Sequence, residues 1–375
     1  MNPWLLTHDG FDPAHEGLRE MLTTLGNGYF ATRGTVPEAR ADGVHHPATY
    51  VSGCHDLPPA QAANRPVEDE DLVNVPNWLP LTFRAGDGDW LSPDNAEMLR
   101  CHHTLDMRRG MLSRLLRVRD PLGRVTRVEQ RRLVSMADRH LAALSVTIVP
   151  ENWSGTLEVR SMLDGRVTGS HLAHDPEQAD RHLVPICAHA AHGVIELLTR
   201  TATSGVEIAL AARTTLAGGL CRTSIGEDAG GCAEQGAEQG AERGVEEGRV
   251  SDDRAVEVRE GEEVTVEKIV ALYTSADRAA AESEARARSA VVRAGSFEAL
   301  AKRHVRAWER LWHREHLPAE DPRAQQVLNL YVFHRLQAVS PCAAETAVPV
   351  DFHDGLGPTR TPELPATLVR ADRAG

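Results

Sequence analysis

From Ala48 to Leu216 the chain is built of short apolar runs whose internal period is close to two, separated by Gly, Pro, Asp and Asn. The runs LSRLLRVRD, RVTRVEQRRLVSM, HLAALSVTIVP, GTLEVRSML, GVIELLTRT and VEIALAART carry β-branched residues at a density that favours strands. Asp120-Pro-Leu-Gly123 joins two of them as a turn, with Pro at its second position and Gly at its fourth. So many strands with no helical pattern between them favour an antiparallel sandwich over a βαβ fold. VTVEKIVALYTS, Val264 to Ser275, reads as a final strand that returns to this sandwich.

The period then changes. Ser296 suits an N-cap, and Phe297, Leu300, His304, Trp308, Leu311 and Trp312 recur at three- and four-residue spacing on one helical face. A second helix opens with Pro322 in its first turn and carries Val327, Leu330, Tyr331, His334 and Val339 on its apolar face. Between the β block and these helices lies Gly226 to Gly261, which contains the near repeat AEQG-AEQG-AERG and almost no large apolar residue. Such a segment buries too little surface to offset its chain entropy, so a disordered surface loop is expected there.

Charge sharpens this division. The 375 residues carry a net charge of −13. Thirteen acids against four arginines between Glu227 and Glu263 account for −9 of it, so the remainder is near neutral. Lys268 and Lys302 are the two lysines among 41 basic residues. The arginines are interleaved with acids rather than clustered, which removes the case for a nucleic-acid partner. No run approaches the ~18 apolar residues of a membrane span and Met1 to Gly10 lacks a signal-like core, so a cytoplasmic protein without a membrane partner is expected. Cys54, Cys101, Cys187, Cys221, Cys232 and Cys342 form no CxxC pair and read as buried or inert thiols.

Residue types able to do chemistry are present without completing a site. Glu16 with Glu20, and Glu68-Asp69-Glu70-Asp71, are paired carboxylates whose spacing fits a solvated face or a loop cap better than acid/base work. The histidines His45-His46 and His102-His103 are adjacent, and neighbouring residues of a strand point to opposite faces. Neither pair, nor His189 with His192, makes a metal site. Gly26-x-Gly28-x-x-Ala31 matches a dinucleotide loop loosely but follows a helix-like run, and neither a G-x-S-x-G elbow nor a phosphate loop occurs. Trp78 and Trp153 lie in Gly/Asn/aromatic stretches where a sugar ring could stack, although a core position is the commoner use of such residues.

Those stretches carry a resemblance. FDPAHEGLREMLTTLGNGYFATRG (Phe11 to Gly34), EDLVNVPNWLPLTF (Glu70 to Phe83), LDMRRGMLSR (Leu105 to Arg114), RRLVSMADRHLAAL (Arg131 to Leu144), PENWSG, VEKIVALYTS and FHRLQAVSP (Phe333 to Pro341) together resemble the N-terminal part of family 65 glycoside hydrolases. That group includes maltose, trehalose and kojibiose phosphorylases. The resemblance implies a mainly β fold: an antiparallel super-β-sandwich over 1–276 with the acidic insertion at 226–261, then a helical linker of two or more helices over 277–341. In the family an (α/α)6 barrel follows and holds the catalytic glutamate, which protonates the leaving sugar while phosphate or water inverts an α-glucosidic bond.

The barrel's opening motifs do not follow Val348-Pro349 in this sequence, so residues 342–375 are expected to be a disordered, aberrant tail. No catalytic, substrate-binding or metal-ligating residue is carried over from the family. No cofactor is expected, and inorganic phosphate is a co-substrate of the full-length family. Expected partners are an α-linked glucose disaccharide in the full-length family, a separate barrel polypeptide, or a second copy of the chain. Self-association follows from the expectation that Trp308, Trp312, Leu330 and Phe333 are left exposed. A carbohydrate-binding or interaction module is the alternative function.

Overall fold

The structure, a computed structural model, describes residues 2–56, 71–167, 182–191, 193–218, 220–222, 248–277, 283–315 and 317–338. It is mainly β. In the largest sheet nine strands lie in the spatial order β1 (Leu5–Asp9), β7 (Glu97–Asp106), β8 (Met111–Arg119), β9 (Val125–Val134), β10 (Leu141–Pro150), β17 (Val264–Thr274), β14 (Glu207–Ala217), β13 (Val194–Thr201) and β12 (Leu183–Ala191). Each neighbouring pair is antiparallel. A second sheet contains β15 (Leu220–Arg222), β16 (Arg249–Val258), β11 (Gly155–Asp164) and β6 (Leu81–Ala85). A third contains β2 (Leu25–Gly26), β3 (Phe30–Thr32), β4 (Thr49–Asp56) and β5 (Asp71–Asn74).

The nine-stranded sheet is covered on both faces at its centre. Ala142, Leu144, Val146 and Ile148 of β10 enter one core with Leu157 and Val159 of β11 and with Phe30 and Val51 of the third sheet. The alternate residues Leu141 and Ala143 enter a second core with Ala211 and Ala271 of the neighbouring strands. There they meet Ala287 and Val291 of helix α2 (Ser283–Arg293), and small side chains on the sheet let that helix approach closely. Two covered faces explain why β10 reads as a continuous apolar run rather than a clean alternation. Lys268 of β17 crosses between sheets. Its Nζ donates to the carbonyls of Pro80 (3.0 Å) and Met162 (2.7 Å), and full burial holds its pKa well below that of an ordinary lysine.

Val264–Thr274 is, as expected, the last strand among the described residues, and it lies at the middle of the nine-stranded sheet between β10 and β14; two other expectations change. The loop expected over 226–261 gives way at Arg249–Val258, which pairs residue for residue with Gly155–Asp164. Val250, Val256 and Val258 alternate inward there, and the density of acids in the segment hid that period. Residues 223–247 and the tail at 342–375 lie outside the described residues. Finally, Cys54 and Cys101 are free and buried, as read from the sequence, but Cys187 of β12 is disulfide-bonded.

The linker helices pack on this chain itself. In α3 (Phe297–Glu315) the Ser296 hydroxyl accepts from the Ala299 N–H as an N-cap, and Phe297, Leu300, His304, Trp308 and Trp312 are buried. Trp308 lies 4.9 Å from Phe333 of α4 (Pro322–Ala338), nearly parallel to it, and Trp4 meets Trp312 edge-on at 4.8 Å. Trp308, Trp312 and Phe333 are therefore core residues, and the self-association expected from their exposure loses its basis. The face of α4 also differs from the expected one. Gln325, Asn329, Val332, Phe333, Leu336 and Gln337 turn inward, whereas Val327 and Tyr331 are exposed. The polar members hold backbone: Asn329 donates to the Pro3 carbonyl at 2.9 Å and Gln325 to the Leu317 carbonyl at 2.9 Å.

Candidate functional site

A group of buried ionisable residues lies where α1 (Glu16–Leu22) and the segment from Arg33 to His46 meet the nine-stranded sheet. Glu16 and Glu20 are four apart, so they share one face of α1, and that face is buried. Glu16 Oε1 accepts from Arg19 Nη1 at 2.6 Å and from the Asp12 backbone N–H at 3.3 Å. Glu20 accepts from His45 Nδ1 at 2.9 Å and from the His46 backbone N–H at 3.0 Å, with Arg33 at 3.9 Å. The two carboxylates are thus neither a solvated face nor free acids. They tie α1 to the loop that passes over it.

A second tier lies beneath. Arg114 of β8 donates through Nη1 to Glu38 at 2.7 Å, and Gln130 of β9 donates to the other oxygen of the same carboxylate at 2.5 Å. Arg132 of β9 donates to the Thr35 carbonyl at 2.8 Å. Burial lowers the Arg132 guanidinium to about 10, against the partial support of Glu20 and Glu38. For Arg114 burial also acts downward and is the largest single effect, but the charges of Glu38 and Cys101 and the hydrogen bonds to both together outweigh it and the net shift is upward. Burial, reinforced by Arg114, holds His103 neutral well below its usual pKa, and burial with Arg19 lowers His8 to about 4. His45 moves the other way: burial opposes its charge, but the Glu20 hydrogen bond and charge prevail and raise it.

The remaining candidates separate cleanly. His102 faces outward on Asp9 at 2.6 Å while His103 faces inward and stacks on His8, the two-face arrangement expected of strand neighbours. Among the described residues no group of three or more His, Cys, Asp or Glu is arranged to hold a metal. His192 and Glu68 to Glu70 lie outside the described residues. Trp78 and Trp153 are core: their indole N–H groups donate to the hydroxyls of Thr32 (2.9 Å) and Thr126 (3.0 Å). Trp90 is half-buried, but Arg84 and Arg160 lie 4.7 and 4.3 Å from its ring centroid.

Gly26 to Ala31 forms the β2–β3 hairpin. Asn27 at its tip accepts from the N–H groups of Tyr29 and Phe30 and donates to the carbonyls of Ser135 and Arg139. Gly28 follows it at φ 85, a backbone conformation that glycine adopts without strain. The Gly/Asn pattern is a device for stitching this hairpin to the β9–β10 turn.

The cluster offers no room for a sugar. Two cavities adjoin it, of about 10 and 20 Å³, each on the scale of one water. Hydrolysis of a glycoside uses two carboxyl groups separated by roughly 5–10 Å across a bound ring, phosphorolysis replaces one of them with phosphate, and both need a carboxyl group free to give a proton. Here each buried carboxylate already faces a cation or a backbone N–H.

Comparison with known proteins adds identity to this geometry. The family description "Glycosyl hydrolase family 65, N-terminal domain" matches residues 6–311. An uncharacterised glycosyl hydrolase of Mycobacterium tuberculosis is 36% identical over 345 residues, which is 92% of this chain and 25% of that protein. The kojibiose phosphorylase of Thermoanaerobacter brockii is 26% identical, over 90% of this chain and 41% of its own length. The solved structure of a human-microbiome protein assigned as a kojibiose phosphorylase aligns with a TM-score of 0.71 at 16% identity. That alignment covers 89% of this chain and 41% of the solved one, so the likeness is one of fold. The chain spans between a quarter and about two-fifths of the length of these relatives.

Proposed function

Because the chain belongs to glycosyl hydrolase family 65 through that family's N-terminal domain, we propose that it is the non-catalytic β scaffold of an enzyme acting on an α-linked glucose disaccharide. The observation that carries this reading is the match over residues 6–311 by a domain whose buried carboxylates Glu16, Glu20 and Glu38 are all engaged in structural ion pairs. Phosphorylases among the relatives support inorganic phosphate as the acceptor of the whole enzyme, with inversion at the anomeric carbon. The stacked aromatic core of α3 and α4 gives a rigid base on which a further domain would seat.

No described helix is long and apolar enough to cross a membrane. A cytoplasmic location rests on the sequence alone, and the Cys187 disulfide runs against it, since such bonds persist in oxidising compartments.

The test is direct. The purified, folded chain is incubated with kojibiose, trehalose, maltose and nigerose, with and without phosphate, and released glucose and glucose 1-phosphate are measured. We expect no turnover from the chain alone, and turnover of any of the four sugars overturns the reading. Adding a separately expressed family 65 barrel distinguishes a split enzyme, which recovers activity on mixing, from a scaffold that acts only within one polypeptide.

A further inference from the structure

The larger cavity beside the buried cluster lies between the Gly34–Pro37 segment and strands β8 and β9. Thr35, Arg114, Gln130 and Arg132 supply its polar wall, and Val36 and Leu144 are among the apolar residues closing it. Two donors in this wall are fully buried without a hydrogen-bond partner: the Thr35 hydroxyl and Nε of Arg114. A buried donor left unsatisfied costs about 1–3 kcal/mol, more for a charged group, so two in one wall call for an occupant.

Charge states what kind of occupant. Arg114 and Arg132 both line the cavity and no carboxylate does: Glu38, paired with Arg114, and Glu20, whose charge supports Arg132, lie outside its lining. Water in the cavity would bridge the donors, whereas an anion also meets the two guanidiniums of the lining.

We propose that this cavity is a halide site, in which one chloride ion is held between the guanidinium groups of Arg114 and Arg132 and accepts a hydrogen bond from the Thr35 hydroxyl. A cavity of about 20 Å³ admits a monatomic ion and excludes phosphate, sulfate and carboxylates. The ion bridges the two guanidiniums and fastens the Gly34–Pro37 segment to the sheet. The site is structural and independent of the disaccharide chemistry proposed above.

Two measurements test it on the full chain. Crystals soaked in bromide should show an anomalous peak in this cavity. The melting temperature, followed at constant ionic strength while chloride replaces gluconate, should rise with the logarithm of chloride concentration, as linkage requires for a ligand of the folded state. Thr35→Val preserves side-chain volume and the backbone carbonyl used by Arg132, and should weaken the apparent chloride affinity at least tenfold. Arg132→Met should abolish the chloride effect; if that variant does not fold, the valine variant still decides. An empty or water-filled cavity in the bromide crystals overturns the proposal. So does a chloride dependence that is absent from the wild type, or undiminished in Thr35→Val.

Discussion

Gly110, in the turn between β7 and β8, offers a sharp test of how α3 is held on the sheet. Its φ is 64, and a Cβ built there would lie 1.9 Å from Nε1 of Trp308, deep inside contact distance. The turn is grasped on both sides as well: His304 Nε2 donates to the Gly110 carbonyl at 3.0 Å, and Trp312 Nε1 to the Met107 carbonyl at 2.9 Å. Gly123, in the β8–β9 turn, has a similar φ of 80 but open space around its missing Cβ. Gly123→Ala should therefore cost only the left-handed backbone strain, about 1–2 kcal/mol. Gly110→Ala adds the displacement of a buried tryptophan. Overpacking alone costs about 1–3 kcal/mol, and losing the Trp308 packing outright about 3–5 kcal/mol, so we expect a total of roughly 3–5 kcal/mol. Urea unfolding reads both variants through the shift of the midpoint at unchanged slope. Because the clash is with one side chain, Gly110→Ala combined with Trp308→Ala should be markedly less damaging than the two single effects added. Equal costs for the two glycine variants, or strict additivity in the double variant, would refute the account of this contact.

Two pH dependences follow from the buried histidines. His304 is neutral in the core, accepting from the Met136 N–H through Nδ1, and burial lowers it from 6.5 to about 4. The unfolded chain then binds a proton that the folded chain refuses, so stability falls as pH drops from about 6.5 to about 4, by roughly 3 kcal/mol from this residue. His304→Gln should flatten that acid limb of the stability curve, and an unchanged limb contradicts the assignment. His45 has the opposite sign, because its folded pKa is raised above 6.5 by Glu20. Its contribution is full below about pH 6.5 and lost as pH rises through the folded value, so His45→Gln should cost about 1 kcal/mol more at about pH 5.5 than at about pH 9. Equal costs at both pH values would mean that the Glu20–His45 contact carries no net charge coupling.

The strands were legible because their period is local, whereas their order in space was not. Nothing in VTVEKIVALYTS says that it lies between β10 and β14, since that position depends on partners 48 to 130 residues away, from Ala217↔Thr265 to Leu141↔Ala271. The face of α3 was readable from its aromatic spacing. The face of α4 was not, because its inner side is half polar. Gln325 and Asn329 are buried to satisfy backbone carbonyls of Leu317 and Pro3, and a hydrophobic pattern is blind to that use of an amide. The apolar residues at Val327 and Tyr331 then pointed to the wrong side.

The buried cluster shows where a better signal was available. Glu16 and Glu20 were visible as residue types, but type alone does not separate a proton donor from half of an ion pair. The difference lies in whether a cation sits within hydrogen-bond distance, which only the fold determines. Arg114, Gln130 and Arg132 could have been found by phase instead. Arg114 occupies the same face of β8 as the buried Leu112 and Leu116, and Gln130 and Arg132 share a face of β9 with the buried Val128. An arginine in apolar phase on two adjacent strands implies buried charge, and buried charge implies counter-charge from another element. Here that element is the segment carrying Glu38, which answers Arg114 directly, and the cavity left between Arg114 and Arg132 without a carboxylate in its lining is the feature from which the halide site follows.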